Sequence, residues 1–261
     1  MSMISVIVPA HRLDGWLDEA VESILASTLD GLEVIVVLNG VSELEPRGWR
    51  ASERVRLIHS VEPLGPTRAM IRGIQSATGD YVARLDADDR MRPERLAAQK
   101  DYLERHPQVP LVGTAVRRIT QDGAPAGAIR MPVGDDVRRH LLLSNTVPHS
   151  SVLMRRSSLD EVGGYDPALA QMEDYDVILR LAQRGPIAVL PEELTEYRLH
   201  GGQISKGARP AGPHIEKVTR ERRRLGRAIG ASLPAVLARN ALWRAVQFTR
   251  YWRITRPGHE Y

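Results

Sequence analysis

Residues 86–89 read Asp86-Ala87-Asp88-Asp89. Carboxylates two positions apart on a turning backbone can face one cavity. Left alone they repel, so they need a cation, and an oxygen set favours hard Mg2+ or Mn2+ with phosphate and water completing the shell. The same tetrad can equally be a solvated turn capping the next helix. An EF-hand loop is excluded, because its sixth and twelfth positions would be Met91 and Ala97 instead of Gly and Glu. Glu173-Asp174 directly precedes an amphipathic stretch. Acids there either suit a helix N-terminus or supply a general base, ionised near neutral pH, for the proton of a positioned hydroxyl. His200 stands before Gly201-Gly202. It is either an exposed loop histidine or a third metal ligand, since neutral imidazole binds Mn2+. Arg68 either pairs with a phosphate or a base carbonyl, or is an ordinary surface arginine.

The elements that must carry these residues follow from periodicity and breakers. Residues 5–8 form a short apolar run ended by Pro9, residues 33–38 (EVIVVL) a second closed by Asn39-Gly40, residues 55–59 a third, and residues 81–85 a fourth. Such runs are expected as buried parallel strands. Between them, residues 14–27 and 65–77 carry apolar positions at helical spacing, the latter with Pro66 in its first turn. Strand–helix alternation implies a right-handed, doubly wound, mostly parallel α/β sheet flanked by helices, whose ligands sit at the carboxyl ends of the strands. Residues 9–12, 39–41 and 86–89 lie at those ends by construction.

The second half changes character. A helix is expected to about residue 105, strands over 111–115 and 116–120, and a turn at Asp122-Gly123. A helix over 135–143, a strand over 151–154, a helix over 175–184 and short strands over 187–190 and 195–199 follow. From Pro213 the pattern is helical, broken near Gly230 and Pro234. The glycine-rich stretch 201–207 is suited to closing over a ligand.

Composition bounds the rest. The chain has 261 residues, 43% of them hydrophobic and 26% charged, enough for a sizeable core. It has no cysteine, which excludes disulfides and zinc–thiolate sites. No run reaches the roughly 18 apolar residues of a membrane span. The N-terminal MSMISVIVPAH has no basic n-region or cleavage site, so no signal peptide is expected. Between His214 and Arg256 eleven Lys or Arg stand against two acids, leaving the preceding residues mildly acidic. The high isoelectric point therefore belongs to the tail, and a nucleic-acid partner is not expected. In that tail Trp243, Arg244, Phe248, Arg250, Tyr251, Trp252 and Arg253 mix rings with cations. That mix suits a helix lying on an anionic lipid surface, or a helix packed on the body of the protein or on a second copy.

Taken in order, these pieces resemble the family-two glycosyltransferases with the GT-A fold, over about residues 3–205. The carriers are SVIVPAH, EVIVVLNG, GPTRAMIRGIQSATGDYVARLDADD, PHSSVLMRR, VGGYDP, EDYDVILRLAQRG and YRLHGGQIS. The resemblance implies a catalytic unit over residues 1–210, with a nucleotide-binding half (1–90) and an acceptor-side half (91–210), followed by a basic helical extension (211–261). It implies that Pro9, Ala10 and His11 line a nucleobase pocket and that Asn39 reads the base where the family usually has an acid. Arg68 would contact base or phosphates, Asp86 the ribose, with Ala87 beside it. Asp88 would ligate the metal with His200. Asp174 would be the general base, with Glu173 supporting the site.

The implied activity is inverting transfer of a sugar from a nucleotide-diphosphate donor, UDP or dTDP before GDP, to an acceptor hydroxyl, with Mn2+ or Mg2+ as cofactor. The implied location is cytoplasmic, with peripheral contact at the inner membrane face. A nucleotidyltransferase on a similar sheet would place a glycine-rich, cationic loop after the first strand, where this chain has Pro9-Ala10-His11-Arg12. A dehalogenase-type phosphatase would place its two aspartates on the first strand and not the fourth. Asp88, Asp174 and His200 together argue against a non-catalytic nucleotide-sugar-binding or scaffold protein, an alternative that turnover decides.

Overall fold

The computed structural model describes residues 2–201 and 211–255. The stretch 202–207, expected to close over a ligand, and the tail beyond residue 255 lie outside the described residues.

The first half winds as its apolar runs predict. β1 (Ile4–Ala10) leads to α1 (Gly15–Leu25), β2 (Leu32–Asn39), β3 (Val55–Ser60), α2 (Gly65–Ser76) and β4 (Tyr81–Arg84). Asp14 caps α1, its Oδ1 accepting the Leu17 N–H at 3.2 Å. β1 lies between β2 and β4, all parallel, with β3 outside β2. The carboxyl ends of β1, β2 and β4 therefore share one edge. α2 lies close on this sheet because residue 73 is glycine: a Cβ there would meet Ile7 Cγ2 at 2.4 Å.

The second half is mixed. It runs through β5 (Arg90–Met91), α3 (Arg95–Arg105), β6 (Leu111–Ile119), β7 (Pro125–Ala128), α4 (Arg138–Leu141), β8 (Leu153–Arg155), α5 (Arg156–Glu161), α6 (Glu173–Ala182) and β9 (Ile187–Arg198). β8 joins the halves, antiparallel to both β4 and β6. β6 and β9 pair in parallel, and β5 pairs antiparallel with the end of β9.

Three elements depart from the sequence reading. The two strand pieces expected over 187–190 and 195–199 are one strand, with a register shift around Pro191. Proline cannot donate to a ladder, and a bulge accommodates it. β6 is likewise one strand across the expected break. The helix expected over 135–143 is a single turn, because the preceding backbone leaves for the sheet: Gly134 bridges to Val189, and Val137 N–H bonds Ile187 O.

α7 (Pro213–Ala228) and α8 (Leu233–Thr255) close the chain. They are not an appendage in solvent. Ile215, Val218, Leu225, Val236 and Trp243 share one apolar cluster with Leu141, Leu142, Tyr175 and Val177 of the preceding α/β body. Among the described residues no helix is long and apolar enough to cross a membrane.

Candidate functional site

The acidic turn begins two residues after β4. Its bend is held by Asp89 N–H on Asp86 O at 3.1 Å and by Asp86 N–H on Ser150 Oγ at 3.0 Å. The fold brings the carboxylates together: oxygens of Asp86, Asp88 and Asp89 lie within 4.8 Å of one another. Asp86, Ala87 and Asp88 are half-buried and Asp89 is fully buried. Asp89 Oδ1 accepts the Arg198 N–H at 2.9 Å, while Oδ2 is buried without a hydrogen-bond partner. Burial, then the charges of Asp86 and Asp88, raise the Asp89 pKa well above the usual carboxylate value.

The pairing of β5 with β9 delivers the end of β9 to this turn. Arg198 Nε donates to Asp88 O at 2.8 Å, and His200 Nε2 stands 2.7 Å from Asp88 Oδ2. Trp16 packs against His200 at 4.8 Å between ring centroids. Two residues 112 positions apart thus reach one point. Three clustered carboxylates, one with an unbonded buried oxygen, and an imidazole at their edge fit a hard divalent cation.

Arg84, the last residue of β4, ties this turn to the helix-start carboxylates. It is buried. Its Nε donates to Asp86 Oδ1 at 2.7 Å, and its Nη1 lies 2.6 Å from His149 Nδ1 and 4.0 Å from Glu173 Oε1. A guanidinium only donates, so His149 Nδ1 accepts and its Nε2–H points to Tyr165 Oη at 2.6 Å. Burial and the Arg84 cation hold the imidazole neutral, with its pKa far below the usual value. Burial works against the Arg84 charge too, but Asp86 and Glu173 outweigh it and raise its pKa.

Glu173 and Asp174 open α6 after Met172, whose φ of 57° turns the chain in the left-handed region. Glu173 is buried. Desolvation, then the Asp174 charge, push its carboxyl up to about 7 against the pull of Arg84. Asp174 is half-buried; its Oδ1 accepts its neighbour's N–H (Tyr175) at 2.7 Å and its Oδ2 accepts Asn145 Nδ2 at 2.7 Å. Burial raises its pKa as well, partly offset by the Tyr175 N–H and Arg84. A carboxyl raised by burial and oriented by two donors can serve as a base for a hydroxyl proton.

The remaining candidates lie along the shared strand edge. Pro9 is half-buried, Ala10 buried and His11 exposed, at the end of β1. Asn39, buried at the end of β2, donates from Nδ2 to Ala10 O at 2.9 Å. A carbonyl can only accept, so the Asn39 amide oxygen is the end left to receive a donor. Arg68 sits exposed in the first turn of α2 and takes no part in the Arg84 network. Sequence reasoning passed over Arg84, Asn145, His149, Tyr165 and Arg198. One signal was available: an arginine ending an otherwise apolar buried strand must find partners, and the acidic turn two residues on supplies one.

The sequence pattern of glycosyl transferase family 2 matches residues 5–163. The amylovoran biosynthesis glycosyltransferase AmsE of Erwinia amylovora is 31% identical over 212 residues, 78% of this chain and 79% of that relative. The O-antigen biosynthesis glycosyltransferase WbnJ of Escherichia coli is 27% identical over 216 residues, 80% of this chain and 84% of that one. Among solved structures, S. aureus TarS 1–349 in complex with UDP-GlcNAc aligns with a TM-score of 0.67 at 18% identity, over 98% of this chain and 74% of that one. The mannosyltransferase PcManGT from Pyrobaculum calidifontis, in complex with GDP-Man and Mn2+, aligns with a TM-score of 0.62 at 17% identity, over 97% of this chain and 85% of that one. At such identities the structures establish the GT-A fold alone, whereas the family pattern covers more than half of the chain. On that footing the chain belongs to glycosyl transferase family 2 and is a glycosyltransferase.

Proposed function

We propose that the protein transfers a sugar from a nucleotide-diphosphate donor to an acceptor hydroxyl with inversion at the anomeric carbon. The observation that carries this reading is the Arg84 bridge, 2.7 Å from Asp86 and 4.0 Å from Glu173, which sets the acidic turn and the α6 carboxylates at one site. A donor diphosphate needs the first group and an attacking hydroxyl the second.

Asp88 and His200, with Asp86 and Asp89 beside them, would hold Mn2+ or Mg2+. When bound, such an ion neutralises charge on the diphosphate oxygens and makes the nucleoside diphosphate a competent leaving group. The chain's own residues do the rest. Asp86, locked by Arg84, orients the ribose. Asn39 presents its amide oxygen to the N3–H of a uracil or thymine ring, which favours UDP or dTDP over GDP, and Pro9, Ala10 and His11 complete the base pocket. Arg68, exposed at the mouth, meets the base or phosphates. Asp174, held by Asn145, takes the acceptor hydroxyl proton as its oxygen attacks. Glu173, its carboxyl pushed up to about 7, supports the site from beside Arg84. No carboxylic acid is needed on the leaving side, unlike in hydrolytic glycosidases.

The names of AmsE and WbnJ support an acceptor hydroxyl on a surface glycan under assembly. The outward side of α8 supports peripheral contact with the inner face of a membrane from the cytoplasm: Leu237, Leu242 and Val246 are exposed beside Arg244.

The test is calorimetry with UDP-, dTDP- and GDP-sugars, with Mn2+ or chelator, followed by product analysis of the anomeric configuration. One nucleotide class is expected to bind in a metal-dependent way, with binding lost in Asp88→Ala. Asp174→Asn is expected to bind donor normally and to lower kcat by about 10²–10⁴-fold. Absence of binding by every nucleotide sugar overturns the reading. A retained anomeric configuration overturns the single displacement.

A further inference from the structure

We propose that Arg222, in the C-terminal extension, is a positioning residue for the Asp174 carboxylate. This inference rests on the reading of Asp174 as the base.

Arg222 lies among Arg220, Arg223 and Arg224, a run that reads as a solvated face. Helical register separates it from them. Ile215, Val218, Thr219, Arg222, Leu225 and Gly226, with Glu221, form the buried stripe of α7. Arg222 is fully buried. Every one of its five N–H donors has an acceptor. Nε meets Asn240 Oδ1 at 2.6 Å. Nη1 meets Tyr175 Oη at 2.9 Å and Leu143 O at 3.4 Å. Nη2 meets Leu142 O at 2.7 Å and Arg239 O at 3.2 Å. The Trp243 ring covers the guanidinium at 4.8 Å. None of these partners is a carboxylate, so the arrangement is a fork matched to four carbonyls and one hydroxyl and not an ion pair.

Those acceptors flank one bond. Leu142 and Leu143 end the turn that leads to Asn145, and Asn145 Nδ2 donates to Asp174 Oδ2 at 2.7 Å. Tyr175 follows Asp174, and its hydroxyl also donates to Leu141 O. The guanidinium therefore grips both the turn that carries Asn145 and the helix that carries Asp174. Asn145 Oδ1 and Thr146 Oγ1 are buried without partners on that turn, polar atoms an ordered turn can offer to a substrate. α7 and α8 meet closely enough to build the grip because residue 226 is glycine: a Cβ there would meet Val236 Cγ2 at 2.5 Å. The family pattern ends at residue 163, so this chain builds part of its base site from beyond the matched segment.

A planar fork cannot be replaced by an ammonium. Misplacing a reacting group by a small distance can cost about 10²-fold in rate. The experiment compares the full-length Arg222→Lys, Tyr175→Phe and Asp174→Asn variants for thermal stability, donor affinity by calorimetry, and kcat and KM for both substrates. Arg222→Lys is expected to lower kcat by about tenfold or more, with donor Kd and donor KM unchanged. Tyr175→Phe, which keeps the ring packing and removes one acceptor, is expected to show a smaller loss of the same kind, and reads the grip even if Arg222→Lys does not fold. Wild-type kcat in both variants, or donor affinity falling in parallel with kcat, overturns the inference while leaving Asp174 as the base. Undiminished turnover in Asp174→Asn overturns the underlying reading instead.

Discussion

The carboxylates that end β4 and those that begin α6 share Arg84, yet they are held in opposite ways. At the turn, three acids crowd within 4.8 Å, anchored from the backbone by Ser150 and Arg198, with one buried oxygen unbonded. At the helix, two acids are each matched to donors or a cation: Asp174 to Asn145 and the Tyr175 N–H, Glu173 to Arg84. The first arrangement is under-neutralised and suits a cation and phosphates. The second is close to balanced and suits a group that gains and loses a proton. The same residue type is suited to two chemistries by how completely its surroundings answer its charge.

Removing the shared cation tests the comparison most severely. Arg84→Met leaves Asp86 without its 2.7 Å partner, Glu173 without its neighbouring cation and His149 Nδ1 without a donor. Breaking one side of a buried pair costs about 3–5 kcal/mol. Asp86 is partly solvated and Glu173 can take a proton, so the lower end is expected. Chemical denaturation of the variant against the parent measures it. A loss below about 1 kcal/mol, within the range of an exposed ion pair, would show that the two clusters are not one electrostatic unit.

Glu173 separates the clusters further. Its folded pKa, about 7, is raised above the ordinary 4.5. The fold therefore favours the neutral form. The stability this contributes is full below about pH 4.5 and is lost as pH rises through about 7. Glu173→Gln mimics the neutral form at every pH. The variant is expected to match the parent near pH 4.5 and to exceed it by about 2–3 kcal/mol at pH 8, since every tenfold change in proton affinity on folding corresponds to about 1.4 kcal/mol. Denaturant titrations at both pH values check it. A variant less stable than the parent at pH 8 would mean that the Arg84 pairing outweighs desolvation.

The two clusters also differ in how far the sequence announces them. Asp86, Asp88 and Asp89 are contiguous and follow a buried strand, so type and place were both legible. Glu173 and Asp174 were legible as a pair, but their chemistry is set by Arg84, His149 and Asn145, which come from strands and turns that only tertiary pairing brings near. β5 is two residues long and invisible to periodicity, yet its pairing with β9 is what puts His200 on Asp88. The extension shows the same limit. Its helices are plain from residue 213 onward, but one arginine among four adjacent cations is buried, and only helical register against a partner surface says which.

The smallest effect concerns the strand edge proposed to meet the nucleobase. The family resemblance implies an acid where this chain has Asn39, and in the proposed base pocket an aspartate would offer the uracil N3–H a charge-assisted bond worth roughly 1 kcal/mol more than a neutral one. Here, however, Asn39 Nδ2 donates to Ala10 O at 2.9 Å within the buried strand ends. Aspartate would replace that donor with an oxygen facing another oxygen, leaving a buried carbonyl unpaired at a cost of about 1–3 kcal/mol. That cost falls on the fold, with or without nucleotide. Asn39→Asp is therefore expected to lower stability by about 1 kcal/mol, the low end of that range, in chemical denaturation at pH 7.5. Unchanged stability would mean that the strand end rearranges around residue 39 and that the amide is not fixed by Ala10.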